Sequence, residues 1–154
     1  MDILIRYVFK HRATGNLEIK RYSTSQLEER TAQKLSPCFD KTEYELISRD
    51  LCFDKEKGVF VGDLIYVTQW HGNYIASVEF GEYEQDGSGD EYPPSKCFGF
   101  YAKAVNPTIT DEKGFEYEIV PDYLIQNSML RLDSYKCIGN IYQDPELLKL
   151  EEAH

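Results

Sequence analysis

Three histidines, four cysteines and one carboxylate-rich stretch are the chemically versatile groups of this 154-residue chain. Cys38, Cys52, Cys97 and Cys137 are dispersed, with no CxxC or CxxH pair. Zinc sites and thioredoxin-like centres need clustered spacing, because one turn must aim two ligands at one point. Reduced, packed thiols are therefore expected. His11 and His71 lie in turn-forming contexts and His154 is the last residue. No GxSxG elbow accompanies them, and nothing local specifies a Cys97–His71 pair as nucleophile and base. The loop Asp86-Gly87-Ser88-Gly89-Asp90-Glu91 opens like a calcium-binding loop, with oxygen ligands at alternate positions. The pattern then breaks: Glu91 stands where the turn glycine is needed and Cys97 where the bidentate glutamate is needed. A solvated acidic loop is the expectation. GK[ST] and GxGxxG phosphate loops are absent. The residues thus point to no catalytic set, no metal site and no cofactor.

The charge is more informative. Glu79, Glu82, Glu84, Asp86, Asp90 and Glu91 fall within residues 79–92, which contain no Lys or Arg. Such a strip suits docking on a basic protein surface, and an unidentified host or phage protein is the expected partner. The rival reading is an acidic mimic of DNA that inhibits a host nucleic-acid or defence enzyme. An enzymatic rival, a small hydrolase or metal-dependent activity, would need Asp86, Asp90, His71 and Cys97 to converge. The formal net charge of −10 argues against binding a phosphate backbone. Arg6, Lys10, Arg12, Lys20 and Arg21 form a basic counterweight, suited either to nucleic acid or to pairing with the chain's own carboxylates. No apolar run approaches the roughly 18 residues needed to span a bilayer, and Met1–Arg6 lacks a signal-peptide stretch. A cytoplasmic protein with no membrane partner is expected. Trp70 and the tyrosines are expected to pack in the core, since they alternate within strand-like runs.

The elements that must position these groups are mostly strands. Residues 1–35 carry a net +3 and residues 36–154 a net −13. That asymmetry, with Ser36-Pro37 at its boundary, predicts a first unit over 1–40 and a second over 41–154. Ile3, Ile5, Tyr7 and Phe9 alternate with mostly polar neighbours and predict a strand with one apolar face. Ala13-Thr14-Gly15-Asn16 reads as a turn, and 17–22 as the returning strand. Ser25 with Glu28 fits a capping box, and Leu27, Thr31 and Leu35 give the following helix a narrow apolar stripe. This is a ββα unit.

Beyond it, short strands are expected at 44–47 with 51–53, 59–61, 64–70, 74–80, 97–105, 115–120 and 135–142. Residues 81–95 read as a loop, residues 121–132 as a short helix or loop, and Asp144-Pro145 as the start of a terminal helix. The class is α+β, mainly β, with an antiparallel barrel-like or curled sheet. Edge strands leave pairing between copies open.

Two stretches carry a resemblance. Cys137-Ile138-Gly139-Asn140-Ile141-Tyr142-Gln143-Asp144-Pro145-Glu146-Leu147-Leu148 resembles the closing signature of the YopX family of phage and prophage proteins. Asp54-Lys55-Glu56-Lys57-Gly58-Val59-Phe60-Val61-Gly62-Asp63-Leu64-Ile65 is similar to that family's lysine-rich turn and Gly-Asp strand entry, with Val61 in place of its usual Glu. The resemblance implies a mainly β, barrel-like fold and a phage accessory role, and carries over no catalytic residue. Gly62, Asp63, Gly139, Asn140, Asp144 and Pro145 are expected to serve turns, close approaches and caps.

Overall fold

The computed structural model describes residues 2–29, 32–70, 72–85, 93–110, 112–118, 120–121 and 124–149. Two compact units divide at 60/61. In the first, β1 (Leu4–His11) and β2 (Leu17–Ser23) form the expected antiparallel hairpin, with Leu4 opposite Ser23 and Lys10 opposite Leu17. The turn holds because His11 Nδ1 accepts the Thr14 amide and Gly15 takes φ +76°. β3 (Tyr44–Asp54) runs through both expected short strands as one and pairs with β1, with a register shift between Val8 and Phe9. β4 (Val59–Phe60) completes the order β2-β1-β3-β4. The boundary falls at 60/61 rather than 40/41 because β3 closes the hairpin's open edge, a long-range pairing that local charge balance does not report.

The helix begins one step earlier than the capping motif predicts. α1 (Thr24–Glu29) follows Ser23, whose Oγ accepts the Gln26 amide at 3.3 Å while Gln26 Oε1 accepts the Ser23 amide at 2.8 Å. Ser23 and Gln26, not Ser25 and Glu28, form the reciprocal box. Ser25 turns instead to Asp2, whose Oδ1 accepts its amide and its hydroxyl and holds the Asp2 carboxyl below the usual range. Helical residues resume at α2 (Ala32–Leu35); Thr31 of the expected stripe lies outside the described residues. Leu27 and Leu35 pack on a core of Tyr7, Phe9, Tyr22 and Cys38. Phe39, delivered by a 3-10 turn over Pro37–Phe39, sets its ring edge against Tyr7 and Phe9 at 5.5 and 5.1 Å.

The opposite face of β1 is buried too, against the expectation of a single apolar face. Val8 is fully buried and Arg6 is only 2% exposed. Arg6 sits opposite Asp50 on β3 and donates from Nε and Nη2 to Asp50 Oδ2 at 3.2 and 3.1 Å. Ser48 Oγ donates to the other carboxylate oxygen at 2.7 Å. The Arg6 and Arg21 guanidiniums stand 5.2 and 5.3 Å from the Phe60 ring centre. Two members of the basic counterweight are therefore spent inside their own unit.

The second unit is an open curled antiparallel sheet. β5 (Asp63–Gln69), β6 (Gly72–Gln85), β7 (Ser95–Ala104), β10 (Gln126–Ser128) and β11 (Ser134–Asn140) lie in the order β10-β7-β6-β5-β11. A separate two-stranded ribbon pairs β8 (Thr108–Thr110) with β9 (Glu116–Glu118). Ile65, Val67, Tyr74, Ala76, Val78, Ala102 and Ala104 are buried. The segment after β9 is neither a helix nor a plain loop: it supplies β10 and a 3-10 turn over Met129–Arg131. The expected terminal helix is likewise a 3-10 turn, Pro145–Lys149. The sheet does not close into a barrel among the described residues.

Candidate functional site

The strand-forming run that starts at Tyr74 does not stop at Phe80. β6 continues to Gln85 and takes in half of the expected loop, because residues 95–104 offer it a partner along its whole length. At the middle of this ribbon Gly81 stands opposite Gly99, at φ +147° and +149°. Side chains avoid that region, so paired glycines let both strands bend at one rung. The bend carries the outer end of β6 back toward β10. There the Glu84 amide donates to Gln126 Oε1 at 3.0 Å and the Ser128 amide donates to Gln85 Oε1 at 3.1 Å.

Strand alternation then sorts the expected acidic strip. Glu82 and Glu84 fall on the same face as Phe80, opposite Phe98 and Lys96 in the register. Glu79 falls on the other face, where it accepts Ser77 Oγ at 3.1 Å and lies opposite Tyr101. Burial and the Glu79 charge together raise the Tyr101 hydroxyl above its ordinary range, and its ring stacks on Tyr83 at 4.7 Å. Lys96 Nζ approaches Glu82 Oε1 at 3.7 Å, an exposed pair worth little in stability but enough to break a run of one sign. Asp86, Asp90 and Glu91, the rest of the strip and the calcium-like loop, lie outside the described residues, as does His71. The described carboxylates thus do not form one continuous acidic face.

Aromatic rings occupy the outer face instead. Phe80 meets Phe98 at 5.3 Å and Phe100 at 4.8 Å between ring centres, edge to face in both cases. Phe98 is 75% exposed and Phe80 is exposed as well. Leaving a ring of this size in water forgoes about 1.5–3 kcal/mol of burial, and neighbouring exposed rings rimmed by charge are a common signature of an interaction surface. Sequence reading assigned aromatic rings to the core because they alternate in strands. Alternation reports which residues share a face, and it does not say whether that face is covered.

Trp70 is the second departure. It sits in the β5–β6 turn, just after Gln69, which pairs with Gly72, and it is 80% exposed. A cleft of about 230 Å³ beside it is lined by Gln69, Trp70, Leu124, Asn127, Arg131 and Asp133. Asn127 is buried and its Oδ1 accepts no hydrogen bond; an unmade bond of this kind costs about 1–3 kcal/mol.

The six motif residues converge on one corner. Asn140 stands opposite Asp63 and Gly139 opposite Leu64 where β11 meets β5, and Gly62 O accepts the Ile141 amide at 2.9 Å. Asn140 Oδ1 accepts the Tyr142 and Gln143 amides at 3.0 and 2.8 Å, making the side chain a stand-in for main chain in the turn. Asp144 Oδ2 accepts the Asn140 amide at 3.1 Å. Its carboxylate therefore points back to the strand rather than forward to cap the Pro145 turn. These are structural roles, as the residue types imply.

Cys97 donates its thiol to Ser95 O at 3.8 Å and Cys137 to Gly139 O at 3.6 Å. Cys38 is buried in the first unit's core. Among the described residues no group of three or more His, Cys, Asp or Glu could hold a metal ion, and no helix is long and apolar enough to cross a membrane. No family model, no curated protein and no solved structure matches the chain.

Proposed function

We propose that the chain is a non-enzymatic protein-interaction module whose docking surface is the outer face of the β6–β7 ribbon. The observation that carries this reading is the exposed ring cluster of Phe80, Phe98 and Phe100, held rigid by ten paired positions from Ala76 to Gln85 and rimmed by Glu82, Glu84 and Lys96. A partner with an apolar centre and a basic rim complements it. The resemblance of residues 54–65 and 137–148 to the YopX family supports a phage or prophage accessory role inside a host cell. The meeting of Gly62-Asp63 with Gly139-Asn140 supports reading the two stretches as one structural unit.

The test is tagged capture from bacterial lysate with three forms of the full chain: wild type, Phe98→Asp and Leu46→Asp. Leu46 is an exposed apolar residue on β3 of the other unit and controls for loss of stickiness alone. One stoichiometric protein should be held by wild type and by Leu46→Asp, and held about tenfold or more weakly by Phe98→Asp. The melting midpoint should barely move, as for other exposed positions. Equal capture by Phe98→Asp, or no protein held by wild type, overturns the assignment.

A further inference from the structure

We infer that the Trp70 cleft is a binding site for a free guanine-type purine base. It is a site apart from the ribbon face and does not depend on the interaction reading above. Its walls come from well-anchored elements. The Ser134–Thr68 pairing sets Asp133, the residue before β11, beside the end of β5 where Gln69 leads into Trp70. Arg131 ends the 3-10 turn whose Met129 is buried, and that turn is capped by Ser128 Oγ, which accepts the Leu130 amide. Asn127 is paired to Ala102 within β10.

The lining then reads as a recognition set. An indole face exposed at 80% offers a stacking platform for a flat ring. The Arg131 guanidinium supplies a fork of donors, which matches the adjacent O6 and N7 acceptors of guanine. The Asp133 carboxylate accepts only, which matches the adjacent N1–H and N2–H donors. Adenine presents a lone pair at N1 and would set it against that carboxylate, so the same cleft disfavours it. The unsatisfied Asn127 Oδ1 adds a further acceptor, buried among the lining residues, for a ligand donor to satisfy as the cleft adjusts. The space of about 230 Å³ holds roughly eight waters, enough for one purine and too little for a stacked pair. The paired charges of Arg131 and Asp133 leave no surplus for phosphate, and the chain's net −10 disfavours a polynucleotide. A free base or nucleoside moiety is the fitting occupant.

Trp70 is the chain's single tryptophan, so its fluorescence and its indole N–H resonance report on this cleft alone. The experiment titrates the full chain with GMP, AMP and CMP, which share one phosphate and differ in the base. GMP should give a saturable quench and a shifted indole resonance, with AMP and CMP weaker by about tenfold or more. Asp133→Asn should abolish the preference for GMP while leaving the melting midpoint unchanged, since Asp133 is exposed. Arg131→Gln should weaken GMP in the same assay. No saturable response at about 10 mM GMP, equal responses to all three nucleotides, or an unaltered preference in Asp133→Asn overturns the inference.

Discussion

Gly139→Ala probes the corner where the two motif stretches meet. The backbone there lies outside the left-handed region, so alanine is conformationally allowed. What the site lacks is room. An added β-carbon would stand 2.9 Å from Asp144 Cγ and 3.2 Å from its Cβ, closer still to Oδ2, and the carboxylate must swing away. Swinging away breaks the bond that Asp144 Oδ2 accepts from the Asn140 amide. A hydrogen bond to a charged group is worth about 1.5–3 kcal/mol, and Gly→Ala returns about 0.4–1 kcal/mol through the unfolded chain. The net cost is therefore about 1–2 kcal/mol, equivalent to a fall of roughly 5–15 °C in the melting midpoint for a unit of this size.

The decisive form is a double-mutant cycle read by urea denaturation. Asp144→Ala alone should destabilise by about 1–3 kcal/mol for the same lost bond. Adding Gly139→Ala to Asp144→Ala should then cost nothing, or stabilise slightly, because the obstructing carboxylate is gone. If the two single losses simply add, the collision with Asp144 is not the reason for glycine at 139, and the reasoning fails.

Two further perturbations test the fold. Arg6→Ala should destabilise by about 3–5 kcal/mol by stranding the buried Asp50 carboxylate, whereas Arg6→Met with Asp50→Leu should recover most of that loss; guanidinium denaturation separates the two, and equal losses would refute a pairing role. Burial raises the Tyr74 hydroxyl above its ordinary value of 10, so the folded state favours the neutral phenol. The unfolded chain releases that proton first, so this contribution is intact below about pH 10 and is lost as pH climbs through the folded value; Tyr74→Phe should flatten the alkaline fall in stability, and an unchanged alkaline slope would refute it.

What the residues disclosed in advance divides by range. The β1–β2 hairpin, the β5–β6 hairpin and the helix against the first hairpin are local, and turn chemistry at 13–16 and 71–73 with period-two patterning was enough to read them. Arg6 was not readable in the same way. A lone arginine in an alternating strand is indistinguishable from a solvated one until its partner at Asp50, 44 residues away, is known to sit across the rung. The long ribbon was obscured for a related reason: Gly81 and Gly99 each look like strand breakers, and only their facing positions turn two breaks into one bend. The acidic residues were visible as a run, yet a run along a strand splits between faces, so Glu79 parted from Glu82 and Glu84. The Trp70 cleft draws Asn127, Arg131 and Asp133 from a stretch with weak patterning, and no spacing ties them to Gln69 and Trp70.

The bend at Gly81 and Gly99 also sets how the second unit breathes. A bend concentrated at one rung makes the outer half of the ribbon a short lever with its fulcrum at that rung, and two bonds, Glu84 to Gln126 and Ser128 to Gln85, latch its tip. Each is worth about 1 kcal/mol net, far less than the sheet behind it. The latch therefore releases long before the sheet does, and the lever swings with Phe98 riding on it. A surface mounted this way can alter its tilt without unfolding, so one set of rings can meet partners that approach at different angles.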